Sequence, residues 1–324
     1  MLHQRSLAAL AAILALCTGT APAQTGFPNK PIRFIVSFPP GGSSDLVARA
    51  MAPRMAERLG QPVLVENRAG AGGNIGIDLV AKAPPDGYTI GLGAAGALSI
   101  NFSLYPNMPF DPLRDLAPVS MLAIIPIVVA AHPSVPAASV RELIALLKAR
   151  PGQLSYGTTG SGSAMHLASE LLKLMTDTDM LHVPYKGSAP ATADLAGGQL
   201  PLAIVDLTSA LPHIRSGRIK AIAVTGSRRS ITAPEIPTIA EGGVPGYEAD
   251  GWFGVVAPAG TPREIIARLN AEVIEALKAP DIRERLLAGG AEAATGTPEE
   301  FGSFIRSEIP KWARVIKAAG VKVN

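Results

Sequence analysis

From residue 32 onward the chain repeats one unit: a short β-branched run, a glycine-rich turn, then a stretch with helical spacing. This alternation is the mark of βαβ units, and it predicts an α/β fold built on parallel sheet. Ile32–Ser37 is the first such run, a helix follows from Asp45 to Leu59, and Gly60 stands as its C-cap. Leu46, Ala50, Met51 and Met55 are expected on the buried face of that helix. Val63–Glu66 is a second strand, and a helix runs from Asn74 to Ala83. Tyr88–Leu92 is a third strand. The alternation restarts after Pro126, with strands at Ile127–Ala131, Leu154–Gly157, Leu181–Pro184, Leu202–Asp206 and Ile219–Thr225. Beyond Thr225 only one further strand, Gly254–Ala257, precedes three helices at Pro262–Ala279, Asp281–Ala288 and Pro298–Ala319. Helices without strands have no sheet of their own to cover. They are therefore expected to return to the first domain, which becomes discontinuous: 24–124 joined to 226–324, with 125–225 inserted as the second. The two crossings, near Met121–Pro126 and Thr225–Arg229, would form a hinge.

A chain of 324 residues is long enough for two such cores. Its composition, 48% hydrophobic and 17% charged, is that of a globular protein and excludes a disordered or collagen-like chain. The 29 basic and 26 acidic residues are scattered, and aromatics are only 5%, which argues against a nucleic-acid surface. At the N-terminus, Arg5 precedes the apolar stretch Leu7–Cys17, which is too short to span a bilayer. Ala21-Pro22-Ala23 then offers the small-x-small pattern of a signal-peptidase site. Residues 1–23 are accordingly expected to be a cleaved signal peptide. Leu16 is too bulky for a lipoprotein site at Cys17, the only cysteine, so the exported chain would contain no thiol.

In open α/β sheets, ligands bind outside the carboxyl ends of the strands, beside helix N-termini. Two loops fit that place, Gly41-Gly42-Ser43-Ser44 in the first domain and Thr159-Gly160-Ser161-Gly162-Ser163 in the second. Glycines admit a ligand close to the backbone, serines add donors, and a helix start presents unpaired N–H groups. Two such loops facing each other would clamp an anion. Hydrogen bonds to a charged group contribute roughly 1.5–3 kcal/mol each. Four or five would support about micromolar affinity after ordering costs. The alternative is that Ser44 or Asp45 and Ser163 only cap their helices while the glycines serve the turns.

Other chemistries fit poorly. Gly70-Ala71-Gly72-Gly73-Asn74-Ile75 places Ile75 where a dinucleotide-binding loop needs glycine. Gly157–Ser163 has the glycine spacing of a phosphate loop but lacks its lysine. His132, His166, His182 and His213 show no metal-ligand spacing, so neither a metal nor a cofactor is expected. Ser163 and His166 lie one helical turn apart, a pairing that suggests a hydrolase, yet G-x-S-x-G is absent. His166 reads better as a first-turn helix residue near the cleft, and with Asp206 it joins the candidate ligand-binding residues.

Lys30-Pro31-Ile32-Arg33, Phe38-Pro39-Pro40-Gly41-Gly42-Ser43-Ser44-Asp45, Glu66-Asn67-Arg68 and Gly70-Ala71-Gly72-Gly73 together resemble the Bug family. These are periplasmic substrate-binding proteins of tripartite tricarboxylate transporters. Pro85-Asp86-Gly87-Tyr88-Thr89, His182-Val183-Pro184-Tyr185-Lys186-Gly187, Trp252-Phe253-Gly254 and Ala257-Pro258-Ala259-Gly260-Thr261-Pro262 carry the likeness along the rest of the chain. Ser37 and Phe110 depart from it, where the family often has proline and tyrosine. The resemblance implies a type II periplasmic binding protein, or Venus flytrap, with two doubly wound α/β domains and no catalysis. It implies a periplasmic monomer that captures an organic acid and hands it to a permease of a large and a small membrane subunit. The same fold reporting to a sensor kinase is the alternative. Carried over by position, Gly41, Gly42, Ser43, Ser44 and Asp45 would hold a carboxylate from one side, and Thr159, Gly160, Ser161, Gly162 and Ser163 from the other. Phe38 would wall the cleft.

The segment Gly93–Asn101, after the third strand, is small and apolar and offers few partners for a second charge. This favours a monocarboxylate or aromatic acid over citrate. Lys186, by pairing a second carboxylate, or Asp206, by accepting from an amine, would change that preference.

Overall fold

The computed structural model describes residues 26–41, 43–288 and 290–322. The signal-peptide segment with Cys17, and Gly42 of the first loop, lie outside the described residues. The first sheet has six strands. Ile32–Val36 (β1) lies between Val63–Asn67 (β2) and Thr89–Ala94 (β3), all parallel. Leu116–Ile125 (β4) joins through Gly251–Pro258 (β10), which runs antiparallel to both β3 and β4. The two-residue Glu292–Ala293 (β11) edges β4. The second sheet has five strands in the order β7-β6-β8-β5-β9. Ser155–Thr158 (β6), Leu181–Pro184 (β7) and Leu202–Asp206 (β8) are parallel, whereas Ile127–Ala131 (β5) runs antiparallel to β8 and to Lys220–Val224 (β9).

Both sheets are therefore mixed, where the βαβ pattern predicts parallel ones. The parallel strands all end at the gap between the sheets. A chain that arrives from the other sheet starts at that gap and must run away from it, and this sets the direction of β5 and β10. The crossing from β4 to β5 is a single residue, Pro126, whose carbonyl accepts the N–H of Leu207 at 2.9 Å. The return passes through Thr225, which donates its N–H to Ile127 O and its hydroxyl to Ala249 O at 2.7 Å.

β4 is a strand that sequence reading misses, because Pro118 lies in its interior. The ladder tolerates this proline beside a register shift between Val255 and Val256 of β10. The Gly93–Asn101 segment is not the expected open loop either: β3 extends to Ala94, and a wide helical turn at Gly96–Ile100 runs into a short helix at Asn101–Leu104. Ala97, Leu98, Ser99 and Ile100 are buried there, while Ala94, Ala95, Gly96 and Asn101 face the gap.

Helix Ser43–Leu59 (α1) buries Val47, Ala48, Met51 and Met55. Leu46, expected on that face, is 51% exposed. Arg263–Lys278 (late helix one) lies on α1 and β4, which explains how a helix with no nearby strand finds cover. The last helix, Pro298–Ala319, begins with a reciprocal capping box between Thr297 and Glu300. It packs on β4 and the wide turn, and also on Ala164–Thr176 of the second sheet's layer. Its Phe301 and Phe304 meet Trp252 edge-on, at centroid distances of 5.8 and 5.2 Å. One hydrophobic core thus runs from Ile35 and Ile77 through Trp252 and Trp312 to Val129 and Tyr156.

Candidate functional site

Between the sheets lies a cavity of about 750 Å³ whose wall is made by the ends of the strands. From the first sheet come Phe38 to Gly41, Ser43 and Ser44 after β1, Gly72 after β2, Ala94 to Gly96 after β3, and Gly251 to Phe253 at the start of β10. From the second come Thr159 and Ser161 to Met165 after β6, Lys186 to Ser188 after β7, and Asp206 at the end of β8. The helices starting at Ser43 and Ala164 therefore address one space from opposite sheets.

The first loop is held from behind by Asp45. Its carboxylate accepts the N–H of Gly41 at 2.9 Å, Arg49 Nε at 2.9 Å and Asn67 Nδ2 at 2.9 Å, while Asn67 also donates to Phe38 O at 3.1 Å. Burial works against the charge, but these donors outweigh it and keep the carboxyl below its ordinary range. Gly41 has φ +83°, a conformation suited to glycine. Asp45, expected to hold ligand, is instead 3% exposed and does not reach the cavity wall. A first-turn carboxylate with its own backbone N–H, arginine and asparagine has its acceptor sites filled.

The second loop shows the same division of labour. Ser163 caps the following helix: its hydroxyl accepts His166 N at 3.2 Å and donates to Gly160 O at 2.7 Å. The N–H of Gly162 goes to His166 Nδ1 at 3.0 Å, and that of Gly160 to Thr158 Oγ1 at 3.2 Å. The same threonine oxygen lies 2.6 Å from His182 Nε2, and the two imidazoles stack with centroids 3.9 Å apart. Burial pushes both histidines down to about 4, helped by Lys173 for His166 and by the neighbouring ring for His182. Both are thus neutral near pH 7.

His166 is 7% exposed and stands behind the loop, and Gly160, with φ +125°, is also off the cavity wall. Ala164 and Met165 do stand on the cavity wall, and their N–H groups have no hydrogen-bond partner among the described residues. They are the first two residues of their helix, where intrahelical acceptors run out.

Phe38, Ser43, Ser44, Thr159, Ser161, Gly162, Ser163, Lys186 and Asp206 all stand on the wall. Sequence reasoning misses Gly72, Tyr105, Ile125, Trp252 and Phe253, which stand there as well, as does Asn101 at the end of the Gly93–Asn101 segment. The glycine run at 70–73 was the available signal: a Cβ on Gly72 would lie 3.0 Å from Asn101 Nδ2 and 3.4 Å from the Tyr105 hydroxyl. Among the described residues no group of three His, Cys, Asp or Glu is placed to hold a metal ion.

The sequence profile described as "tripartite tricarboxylate transporter family receptor" matches residues 47–321. The chain belongs to this family. Members of the tripartite tricarboxylate transporter receptors are solute-binding proteins and not enzymes. The Bug resemblance is shared at full length: BugT of Bordetella pertussis is 43% identical over 322 residues, covering 99% of each chain. Rpa4515 of R. palustris, solved with adipate, is 40% identical with a TM-score of 0.80, covering 92% of this chain and 99% of the other. The periplasmic binding protein BugD is 37% identical with a TM-score of 0.77, covering 91% and 99%. The fold is accordingly that of the periplasmic binding proteins of this receptor family.

Proposed function

We propose that this receptor captures a small organic carboxylate between the helix starting at Ser43 and the helix starting at Ala164. The observation that carries the reading is that pair of helix N-termini, one from each sheet, opening on one cavity with the N–H groups of Ala164 and Met165 unpaired. Each N-terminus carries about half a positive charge and favours an anion. Ser43, Ser44 and Ser161 supply further donors on the wall. The adipate held by the R. palustris relative is a ligand of this class.

Residues 24–124 with 226–324 form one domain in this reading and residues 125–225 the other, joined at Pro126 and Thr225. A ligand that touches both domains binds the closed arrangement better than the open one, and so closes the cleft. The closed monomer, exported to the periplasm after removal of residues 1–23, then presents its rim to the large and small permease subunits. A thermal-shift screen of the mature chain against organic acids tests the capture step. A ligand at about 100 times its dissociation constant stabilises by about 2.7 kcal/mol. No response across mono-, di- and tricarboxylates up to millimolar concentration overturns the proposal.

A further inference from the structure

Resting on the carboxylate reading above, we infer that the ligand also carries a hydrogen-bond donor, an ammonium or a hydroxyl, and that Asp206 accepts from it. Asp206 ends β8 and stands at the N-cap of the next helix, Leu207–Arg215, but its side chain makes no capping bond. Its Oδ2 takes the hydroxyl of Ser188 at 2.7 Å, and its backbone N–H returns to the same serine oxygen at 3.1 Å. These two bonds form a closed ring that fixes the carboxylate at the cavity wall, where both residues stand. The serine proton is used up in doing so. Oδ1 has no partner among the described residues, and neither Lys nor Arg is paired with this carboxylate.

Burial raises the pKa of Asp206, with the Ser188 bond acting the other way, so the group is short of hydrogen bonds to its charged form. An open carboxylate oxygen on a cavity wall is completed by a donor from whatever fills the cavity. Its place follows from the ladder: Gly157 of β6 pairs in parallel with Ala203 of β8, so the end of β8 that carries Asp206 lies beside the end of β6 that leads into the anion-binding loop. The donor therefore sits a few bonds from the ligand's carboxylate. A second ionised carboxylate at that place would face Asp206 directly. The cation on this part of the wall, Lys186, belongs to an exposed side chain and is free to stay in water. The favoured class is thus the hydroxy acid or amino acid, ahead of the unsubstituted acid of equal length.

The test is calorimetric titration of the mature protein with four- and six-carbon acids: unsubstituted, 2- and 3-hydroxy, 2- and 3-amino, and dicarboxylic. Against wild type, a donor-bearing acid is expected to bind about tenfold to hundredfold more tightly than its unsubstituted counterpart. Asp206→Asn should bring that ratio close to one. A larger loss for the amino acid than for the hydroxy acid identifies the donor as ammonium, and the reverse identifies hydroxyl. Should Asp206→Asn fail to fold, Ser188→Ala, which frees the carboxylate from its fixed orientation, is expected to lower the same ratio. The inference is overturned if the ratio survives both substitutions, if wild type shows no preference, or if a dicarboxylate binds best and Lys186→Ala alone removes that preference. If no acid of any kind binds wild type, the carboxylate reading itself falls and this inference falls with it.

Discussion

The stacked imidazoles behind the second loop give the molecule a pH dependence that can be worked out group by group. His166 accepts the N–H of Gly162 through Nδ1, so a proton added there would set two donors against each other. Around it lie His182 at 3.9 Å, Glu170 Oε1 at 3.7 Å from Nε2, Lys173 bonded to that same oxygen at 3.1 Å, and Tyr156 donating to it at 2.7 Å. Glu170 is thus already occupied by two donors and is distant from the ring. His166 titrates at about 4 in the folded protein against 6.5 in the unfolded chain. The folded state binds fewer protons over that window, so stability falls as pH drops from about 6.5 towards 4 and levels off below. Between pH 7 and pH 5 this one group accounts for a loss of about 2 kcal/mol. His166→Asn places an amide oxygen near Nδ1, keeps an acceptor for Gly162 and cannot be protonated. Urea unfolding of both proteins from pH 7 to pH 5 reads the difference. With an m-value of about 3 kcal/mol per molar, the wild-type midpoint should fall by about 0.7 M more than that of the variant. Parallel midpoint curves over this range would refute the argument, because a constant offset reports lost packing and not a proton.

Three further outcomes follow from close contacts. Gly160→Leu puts a side chain at φ +125°, with its Cβ 3.3 Å from Tyr185 O, and should weaken carboxylate binding by about tenfold or more through loop distortion although Gly160 is off the wall; titration of the mature variant checks this. Gly254→Ala would press a methyl into the Phe301 ring, where the last helix docks on β10, and is expected to cost about 1–3 kcal/mol in chemical denaturation. Glu292, 3% exposed, accepts Ser230 Oγ at 2.7 Å, Ile231 N at 2.9 Å and Arg228 Nη2 at 3.2 Å, tying the edge of the first sheet to the returning segment. Glu292→Ala leaves these donors unpaired and should destabilise by about 1–3 kcal/mol, with a lowered melting temperature as the readout.

Local chemistry made much of the molecule legible. A β-branched run followed by glycines and an amphipathic stretch specifies strand, turn and helix within about 30 residues, and the loops at 41–45 and 159–163 fall at strand ends for that reason. What was not legible has a common cause. Leu46 matches the helical spacing of the buried residues of α1, yet half of it is exposed, because burial depends on which elements arrive alongside. β4 is hidden by Pro118, which only its partner β10 can accommodate. Asp45 and His166 carry the polar chemistry expected of ligand contacts, and both spend it on the backbone of their own loop.

The sequence by itself thus determined the α/β alternation, the export-like N-terminal pattern and the two glycine loops, since each depends on residues near one another in the chain. The tertiary structure decided the strand directions, because a strand crossing from one sheet to the other must begin at the gap and run outward. It also decided which N–H groups stay open: Gly162 is taken by an imidazole four residues on, whereas those of Ala164 and Met165, two residues of the cavity wall, have no partner among the described residues. The last helix shows the same distinction at larger scale. Its amphipathic pattern is written in its own residues, but its place against both sheets comes from Trp252 and the core that the folded chain assembles around it.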